Sequence, residues 1–476
     1  MNNNTFKIGL FGIGLDTYWD QFEGLEARLK GYLSIVEDKI SAIHADVLNL
    51  GLIDTTDKAF EAGDRFRAEK VDLIFLYVST YALSSTVLPI VQRAKVPVII
   101  LNISPEPAID YEKFNQLDDR VKMTGEWLAY CSACPVPEIA NVFNRTGIKF
   151  YQITGMLHDD QECWNEVAQW IEAGRVASIM SYNRLGCMGH YYSGMLDIYT
   201  DKTQQYAHFG GHIELLEVDE LAALRKTISE TEINERIEHF RNQFDVESDC
   251  STEALIAAAK TSVALDQLVD KYKLGSMAYY YKGTGNQENE DTISSIILGN
   301  SLLTARGIPV AGEYEIKNAQ AMKIMDSFGA GGSFTEYYAM DFKNDVVLMG
   351  HDGPGHIAIA EGKTKVKPLK VYHGKVGSGL SVEMSVKNGP VTLLSVAETK
   401  DGKLMLLVAE GESVSGPILQ IGNTNSRYKF SIGARKFVNE WNSNGPAHHC
   451  AVGIGHIADK IEKLGALLNM QVVKVC

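Results

Sequence analysis

The segment Val71-Asp72-Leu73-Ile74-Phe75-Leu76-Tyr77-Val78 is apolar except at Asp72, and Val96-Pro97-Val98-Ile99-Ile100-Leu101-Asn102 repeats the pattern after the amphipathic stretch Tyr81–Ala94. A strand apolar at successive positions is buried on both faces, and parallel strands need helical crossovers to cover them. Working outward, Lys7–Ile13 reads as a first strand, Asp20–Lys39 as a helix, Ala42–Leu50 as a strand and Thr55–Glu69 as a helix. The expected result is a doubly wound, Rossmann-like parallel sheet. Gly12-Ile13-Gly14 follows the first strand, but Thr17 stands where a dinucleotide loop has its third glycine, and no acidic residue ends the second strand. A nicotinamide site is therefore not expected.

A second alternating unit starts after the helix Gln161–Ser181. Its expected elements are strands Arg184–Met188 and His212–Val218, a long helical stretch Asn234–Leu274, strand Ser276–Tyr281, helix Thr292–Arg306, strand Ile308–Glu313 and helix Ile316–Phe328. Gly329-Ala330-Gly331-Gly332 then marks a boundary or a close backbone approach. Beyond it, Ser333–His351, Lys365–His373, Leu380–Val386, Val391–Thr399, Lys403–Glu410, Val414–Ile421 and Tyr428–Gly433 are short alternating runs broken by turn pairs such as Asn388-Gly389 and Asp401-Gly402. They predict a mostly β, barrel-like domain, closed by a helix Ile454–Leu468 and a strand Gln471–Val475. The expected division is an N-terminal α/β domain over 1–180, a central α/β domain over 181–330 and a C-terminal β domain over 331–476.

At 476 residues the chain is too long for one core. Apolar residues make up 45% and charged residues 22%, as in soluble globular proteins. The net charge of −15 argues against nucleic acid or an anionic membrane as partner. No apolar run reaches a membrane span, and Met1–Lys7 lacks the features of a signal peptide, so a cytoplasmic location is expected. Seven dispersed cysteines read as reduced thiols; Cys131-Ser132-Ala133-Cys134 has no companion pair and reads as structural.

Four residues in apolar surroundings carry the chemistry: Glu313, Glu336, His351 and one of the pair His448-His449. A carboxylate on an apolar face is costly unless something satisfies it, and a shared divalent cation would satisfy several at once. Glu313 ends a strand before a helix, where open α/β sheets bind ligands. Glu336 alternates with Phe334, Tyr338 and Met340. If His448 and His449 lie on one strand they face opposite ways, so one would reach the metal and the other would orient it or touch substrate. Two carboxylates and two imidazoles suit Mn²⁺, Fe²⁺ or Co²⁺, with Zn²⁺ also compatible. Such an ion would hold adjacent sugar oxygens and stabilise an enediolate while a carboxylate moves the proton. Taken singly, each of these residues reads more simply as a cap, an ion-pair partner or a satisfied polar group.

At these residues the chain resembles the L-arabinose isomerase and L-fucose isomerase family, and is most similar to L-arabinose isomerase. Gly307–Glu313 through Gly331–Glu336 resembles the segment around the family's two catalytic glutamates. Val346–His351 resembles its first histidine ligand, Gly389-Pro390 with Val391–Val396 a hairpin of its C-terminal domain, and Gly445-Pro446-Ala447-His448-His449 its double-histidine motif. The resemblance implies that Glu313, Glu336, His351 and His449 bind Mn²⁺, that Glu313 and Glu336 shuttle the proton, and that His448 and Tyr338 assist at the substrate. It implies a homo-oligomer, trimer or hexamer, with active sites between subunits, converting L-arabinose to L-ribulose or D-galactose to D-tagatose. Three places depart from that pattern. The loop after the first strand reads Gly14-Leu15-Asp16-Thr17-Tyr18-Trp19, Tyr337 follows the second glutamate, and Glu126-Trp127 stands where a histidine for the neighbouring subunit is expected. Trp19, Trp127, Tyr191 and Tyr192 are candidates for sugar contact or aromatic core. Two other readings stay open: an isomerase or epimerase of a deoxy- or rare sugar, and a non-catalytic sugar-binding protein on the same fold.

Overall fold

The computed structural model describes residues 6–370 and 378–476, which fall into two compact units, one ending at Ser178 and one starting at Ile179. In the first unit, strands β1 (Ile8–Ile13), β2 (Val47–Ile53), β3 (Leu73–Tyr77), β4 (Val98–Ser104) and β5 (Phe150–Met156) form a parallel sheet in the order β2-β1-β3-β4-β5. β1 and β3 are buried throughout, as their unbroken apolar runs require. The first helix starts at Leu25, not Asp20, because Asp16–Tyr18 is a single 3-10 turn and Gly24 takes a left-handed φ of 79°. That helix buries Leu25, Leu29, Leu33, Val36 and Ile40, one stripe at helical spacing.

The second unit holds two main sheets. Strands β6 (Arg184–Gly189), β7 (His212–Leu216), β8 (Asp245–Val246), β9 (Ser276–Tyr280) and β10 (Val310–Ala311) come first, and β10-β9-β6-β7 form a parallel sheet. The stretch expected as one helix over Asn234–Leu274 is two, Glu230–Gln243 and Thr252–Tyr272. Phe244 leaves the first helix extended, and the Ser251 side chain caps the second by accepting from the Ala254 N–H at 3.1 Å. The expected helix Thr292–Arg306 likewise divides into Gln287–Ser294 and Ile297–Ala305; at the break, Ser295 Oγ donates to the Asp291 carbonyl at 2.7 Å.

The remaining strands are β11 (Ser333–Asp341), β12 (Val346–His351), β13 (Lys365–Leu369), β14 (Gly379–Glu383), β15 (Gly389–Glu398), β16 (Leu404–Val414), β17 (Thr424–Phe430), β18 (His449–Ile454) and β19 (Gln471–Lys474). The circuit β15-β18-β11-β12-β17-β16 closes through β15–β16 into an antiparallel barrel, with β19 added parallel to β16. β13 and β14 lie outside the barrel in a small sheet of order β14-β13-β8. Val366, Leu380 and Val382 are buried in the same cluster as Leu255 and Leu265 of the helix Thr252–Tyr272, which draws these strands away from the barrel wall. The end of the expected strand Lys365–His373 lies outside the described residues. A helix the strand pattern does not anticipate, Ala434–Ser443, plugs the barrel with Phe437 and Trp441; Phe437 stacks on Phe430 at 3.5 Å. No described helix is long and apolar enough to cross a membrane.

Candidate metal centre and active site

Glu313 lies just past the carboxyl end of β10, in the tight connection to the helix Ile316–Ser327. Glu313 and Tyr314 both take left-handed φ values, 56° and 62°. Non-glycine residues adopt that region at a cost, and two in succession mark a backbone held for a purpose. The turn is closed by the Tyr314 N–H on the Tyr279 carbonyl at 2.9 Å and the Glu315 N–H on the Gly312 carbonyl at 3.0 Å.

The barrel supplies the other groups. Glu336 on β11 pairs with His449 on β18 and with Gly350 on β12, which places all three strands at one mouth of the barrel. His351 ends β12; its N–H and C=O are both held by Thr424 Oγ1, at 3.0 Å each. Phe334 packs its ring centroid 4.4 Å from that of His351 and 4.3 Å from that of His449, an apolar floor beneath both. Strict alternation along β11 fails after Tyr337, because Tyr338 is an extra residue between the pairs Tyr337–Met349 and Ala339–Leu348. Met340 consequently turns to the barrel core with Tyr337, instead of sharing the Glu336 face. Tyr338 receives a hydrogen bond from Asn423 Nδ2 at 2.9 Å, and burial, reinforced by Glu336 and Asp352, raises its phenol pKa.

Both histidines of the pair reach Glu313. β18 begins at His449, so His448 precedes the pleat and the opposite-face expectation does not apply to it. Their ring centroids are 3.7 Å apart, and Glu313 Oε2 lies 3.7 Å from His448 Nε2 and 3.6 Å from His449 Nε2. His351 Nε2 is 4.0 Å from Glu313 Oε1. One ligand atom each from Glu313, His448 and His449 lies within 4.8 Å of the others. Glu336 adjoins this group by register and lines, with Asp197, Tyr337, Trp441 and His448, a cavity of about 370 Å³.

The donor set fits a divalent cation. His449 is 1% exposed, and its Nε2 has no hydrogen-bond partner among the described residues although it points to a carboxylate. A buried imidazole nitrogen in that state is explained by a ligand it awaits. Its Nδ1 bonds Glu315 Oε2, and Glu315 is fully buried. A carboxylate behind a metal-ligating histidine fixes the ring and its tautomer. Sequence reading missed Glu315, although the acid–Tyr–acid spacing just before the helix Ile316–Ser327 was visible. It also missed Asp197, whose carboxylate holds His448 Nδ1 at 2.6 Å from 251 residues away. Burial alone would lower the His448 pKa, but bonds to Glu313 and Asp197 outweigh it and push it up to about 9. The same pairing holds the Asp197 carboxyl below its ordinary value against burial.

The aromatic candidates divide. In the first unit, Trp19 donates its indole N–H to Asp54 at 2.8 Å, and Trp127 is 44% exposed. In the second, Tyr192 stacks near Tyr280 (4.7 Å) and donates its N–H to the Glu313 carbonyl at 3.5 Å, while Tyr191 meets Tyr314 edge-on at 4.8 Å. Cys131 is buried at a helix end beside exposed Cys134.

Residues 198–331 match the L-arabinose isomerase central domain, and residues 352–475 match the L-fucose isomerase C-terminal domain. The chain carries domains of the L-arabinose and L-fucose isomerase family. Curated relatives agree at low identity. A sulfoquinovose isomerase of Alkalicoccus urumqiensis is 23% identical over 304 residues, 63% of this chain and 66% of that protein. Sulfoquinovose isomerases of Priestia aryabhattai and Priestia megaterium are each 19% identical over 412 residues, 86% of both chains. These likenesses place the chain among the aldose–ketose isomerases, and Glu313, with His448 and His449, forms a His/Glu group suited to a metal.

Proposed function

We propose that the protein is a metal-dependent aldose–ketose isomerase working through an enediol, with Glu313, Glu336, His351 and His449 holding Mn²⁺, the more exposed His448 left to the substrate although its Nε2 is as near Glu313, and Co²⁺ or Fe²⁺ as alternatives. The observation that carries this reading is the convergence of Glu313 on two imidazoles, one of them buried with its Nε2 unbonded among the described residues. When bound, the metal would polarise two neighbouring sugar oxygens. Of the residues themselves, Glu336 and Glu313 would take the proton from C2 and return it to C1. His448 would hold a proton toward a sugar oxygen, and Tyr338, at the bulge, would donate to another. Phe334, packed against both imidazoles, and Trp441, in the cavity wall, would limit water around a charged intermediate.

For the substrate, we favour a hexose of the sulfoquinovose type, the sugar named for all three relatives. The divergent loop Gly14–Trp19 supports a sugar other than L-arabinose. L-Arabinose to L-ribulose and D-galactose to D-tagatose form the second reading, supported by the central-domain match. A trimer or hexamer, a cytoplasmic location and a domain division near residues 180 and 330 belong to the same proposal. The test is ketose formation from sulfoquinovose, L-arabinose and D-galactose with added Mn²⁺. Glu313→Gln and Glu336→Gln should each abolish turnover while circular dichroism stays unchanged; retained activity in either would sink the mechanism.

A further inference from the structure

The double histidine is held by two different carboxylates. Glu315, fully buried, holds His449. Asp197, in the single turn Leu196–Ile198 after β6, holds His448. One Asp197 oxygen accepts both the His448 backbone N–H at 2.9 Å and the ring Nδ1–H at 2.6 Å. The backbone bond answers a specific need: His448 precedes β18, so its N–H has no ladder partner. Asp197 is itself anchored, its carbonyl receiving Lys317 Nζ at 2.5 Å from a lysine that is 4% exposed. With backbone and ring both fixed to one oxygen, the imidazole cannot turn, and its Nε2 faces Glu313 and the cavity.

We propose that Asp197 is a positioning residue for the isomerisation, fixing the His448 ring so that Nε2 is presented to substrate while Nδ1–H stays on the carboxylate. This rests on the isomerase reading given above. It assigns the two carboxylates different tasks: Glu315 serves the metal through His449, and Asp197 serves the sugar through His448. Removing Asp197 should therefore lower turnover without lowering metal affinity. Replacement by asparagine keeps the shape but weakens the ring contact, because an amide offers Nδ1–H one neutral acceptor in place of a charged one.

The experiment compares wild type with Asp197→Asn, Asp197→Glu, His448→Gln and the double variant Asp197→Asn/His448→Gln. Three readouts are taken: ketose formation, Mn²⁺ titration by calorimetry, and the downfield imidazole N–H protons of the metal-free protein by NMR. Asp197→Asn should lose roughly 10–100-fold in kcat, with KM and Mn²⁺ affinity within about threefold of wild type. Asp197→Glu should recover part of that loss. The double variant should be no worse than His448→Gln alone, since Asp197 acts through that ring. One downfield N–H proton should vanish in both single variants Asp197→Asn and His448→Gln. Additive losses in the double variant, a parallel fall in Mn²⁺ affinity, or full activity of Asp197→Asn would overturn the proposal. If wild type converts no aldose, the isomerase reading fails, and the NMR comparison still decides whether Asp197 fixes His448.

Discussion

Replacing Glu315 with glutamine separates metal binding from folding more cleanly than any change to a ligand. Glu315 is fully buried, its Oε2 bonds His449 Nδ1, and its Oε1 has no hydrogen-bond partner among the described residues. Glutamine keeps the volume and one acceptor for Nδ1–H, so neither a cavity nor an orphaned imidazole nitrogen results. What is lost is the charge behind the histidine. A hydrogen bond to a charged group contributes about 1.5–3 kcal/mol against about 0.5–1.5 kcal/mol for a neutral one, a difference near 1–1.5 kcal/mol. If that difference is felt by the ion through Nε2, Mn²⁺ affinity falls roughly tenfold. Glu315→Ala should do more, because it leaves the Nδ1–H of a buried ring unpaired, at about 1–3 kcal/mol in the metal-free fold as well. The assay is calorimetric Mn²⁺ titration of the metal-free protein beside thermal unfolding with and without Mn²⁺. Glu315→Gln should melt near wild type without metal but gain less on adding it, since stabilisation follows the ratio of free ligand to Kd. Unchanged Mn²⁺ affinity in Glu315→Gln would refute the reasoning and leave Glu315 a purely structural carboxylate.

Three further outcomes are expected. Gly350→Ala should destabilise the barrel mouth and abolish activity, because a Cβ there would stand 1.9 Å from the Thr424 carbonyl oxygen, beside His351 and opposite Glu336; thermal unfolding and turnover check it. In the metal-free protein the raised His448 pKa adds stability that is complete below pH 6.5 and is lost as pH rises through about 9, with Asp197 and Glu313 facing the ring. The melting-temperature difference between wild type and His448→Gln should therefore shrink across that range, and a difference independent of pH would count against the pairing. Tyr338→Phe should lower turnover while costing only about 1 kcal/mol of stability, the worth of the bond from Asn423 Nδ2, measured by denaturant unfolding.

Much of the architecture was legible because it follows from apolar periodicity. The continuous runs Leu73–Tyr77 and Val98–Ser104 had to be sheet interior, and they are. Where the reading slipped, local hydrogen bonding outweighed the hydrophobic pattern. Ser251 and Ser295 end or begin helices inside stretches that look continuous. The helix Ala434–Ser443 was lost among strands although Ala434, Phe437, Val438 and Trp441 form a stripe at helical spacing, because it is a short helix set between two strands. At the site, Glu313, Glu336, His351 and the histidine pair stood out because charge on apolar segments is costly. Asp197 was passed over although Met195, Leu196 and Ile198 flank it, because a single turn has no strand or helix period to assign it a face, and only the fold brings it to His448. The bulge at Tyr338 was equally hidden, since an extra residue in a strand leaves the composition unchanged.

The left-handed pair at Glu313 and Tyr314 ties fold to chemistry. Each such residue costs on the order of 1–3 kcal/mol, and glycine would relieve it. Glycine at 313 would remove the carboxylate that meets three histidines. Glycine at 314 would remove a ring, 5% exposed, packed edge-on against Tyr191. Both side chains are thus needed where the backbone disfavours them. The surrounding bonds, from Tyr314 N–H to β9 and from Glu315 N–H to Gly312, hold the turn in that shape. The same turn delivers Glu313 and Glu315 to one imidazole from opposite ends, Glu313 Oε2 near His449 Nε2 and Glu315 Oε2 on Nδ1. An unstrained connection from β10 would separate these two carboxylates along a helix, and the histidine would lose either its orienting partner or its neighbour at the metal. The strain is the condition for bracketing His449 with two acids, Glu313 and Glu315, separated by one residue in a single turn.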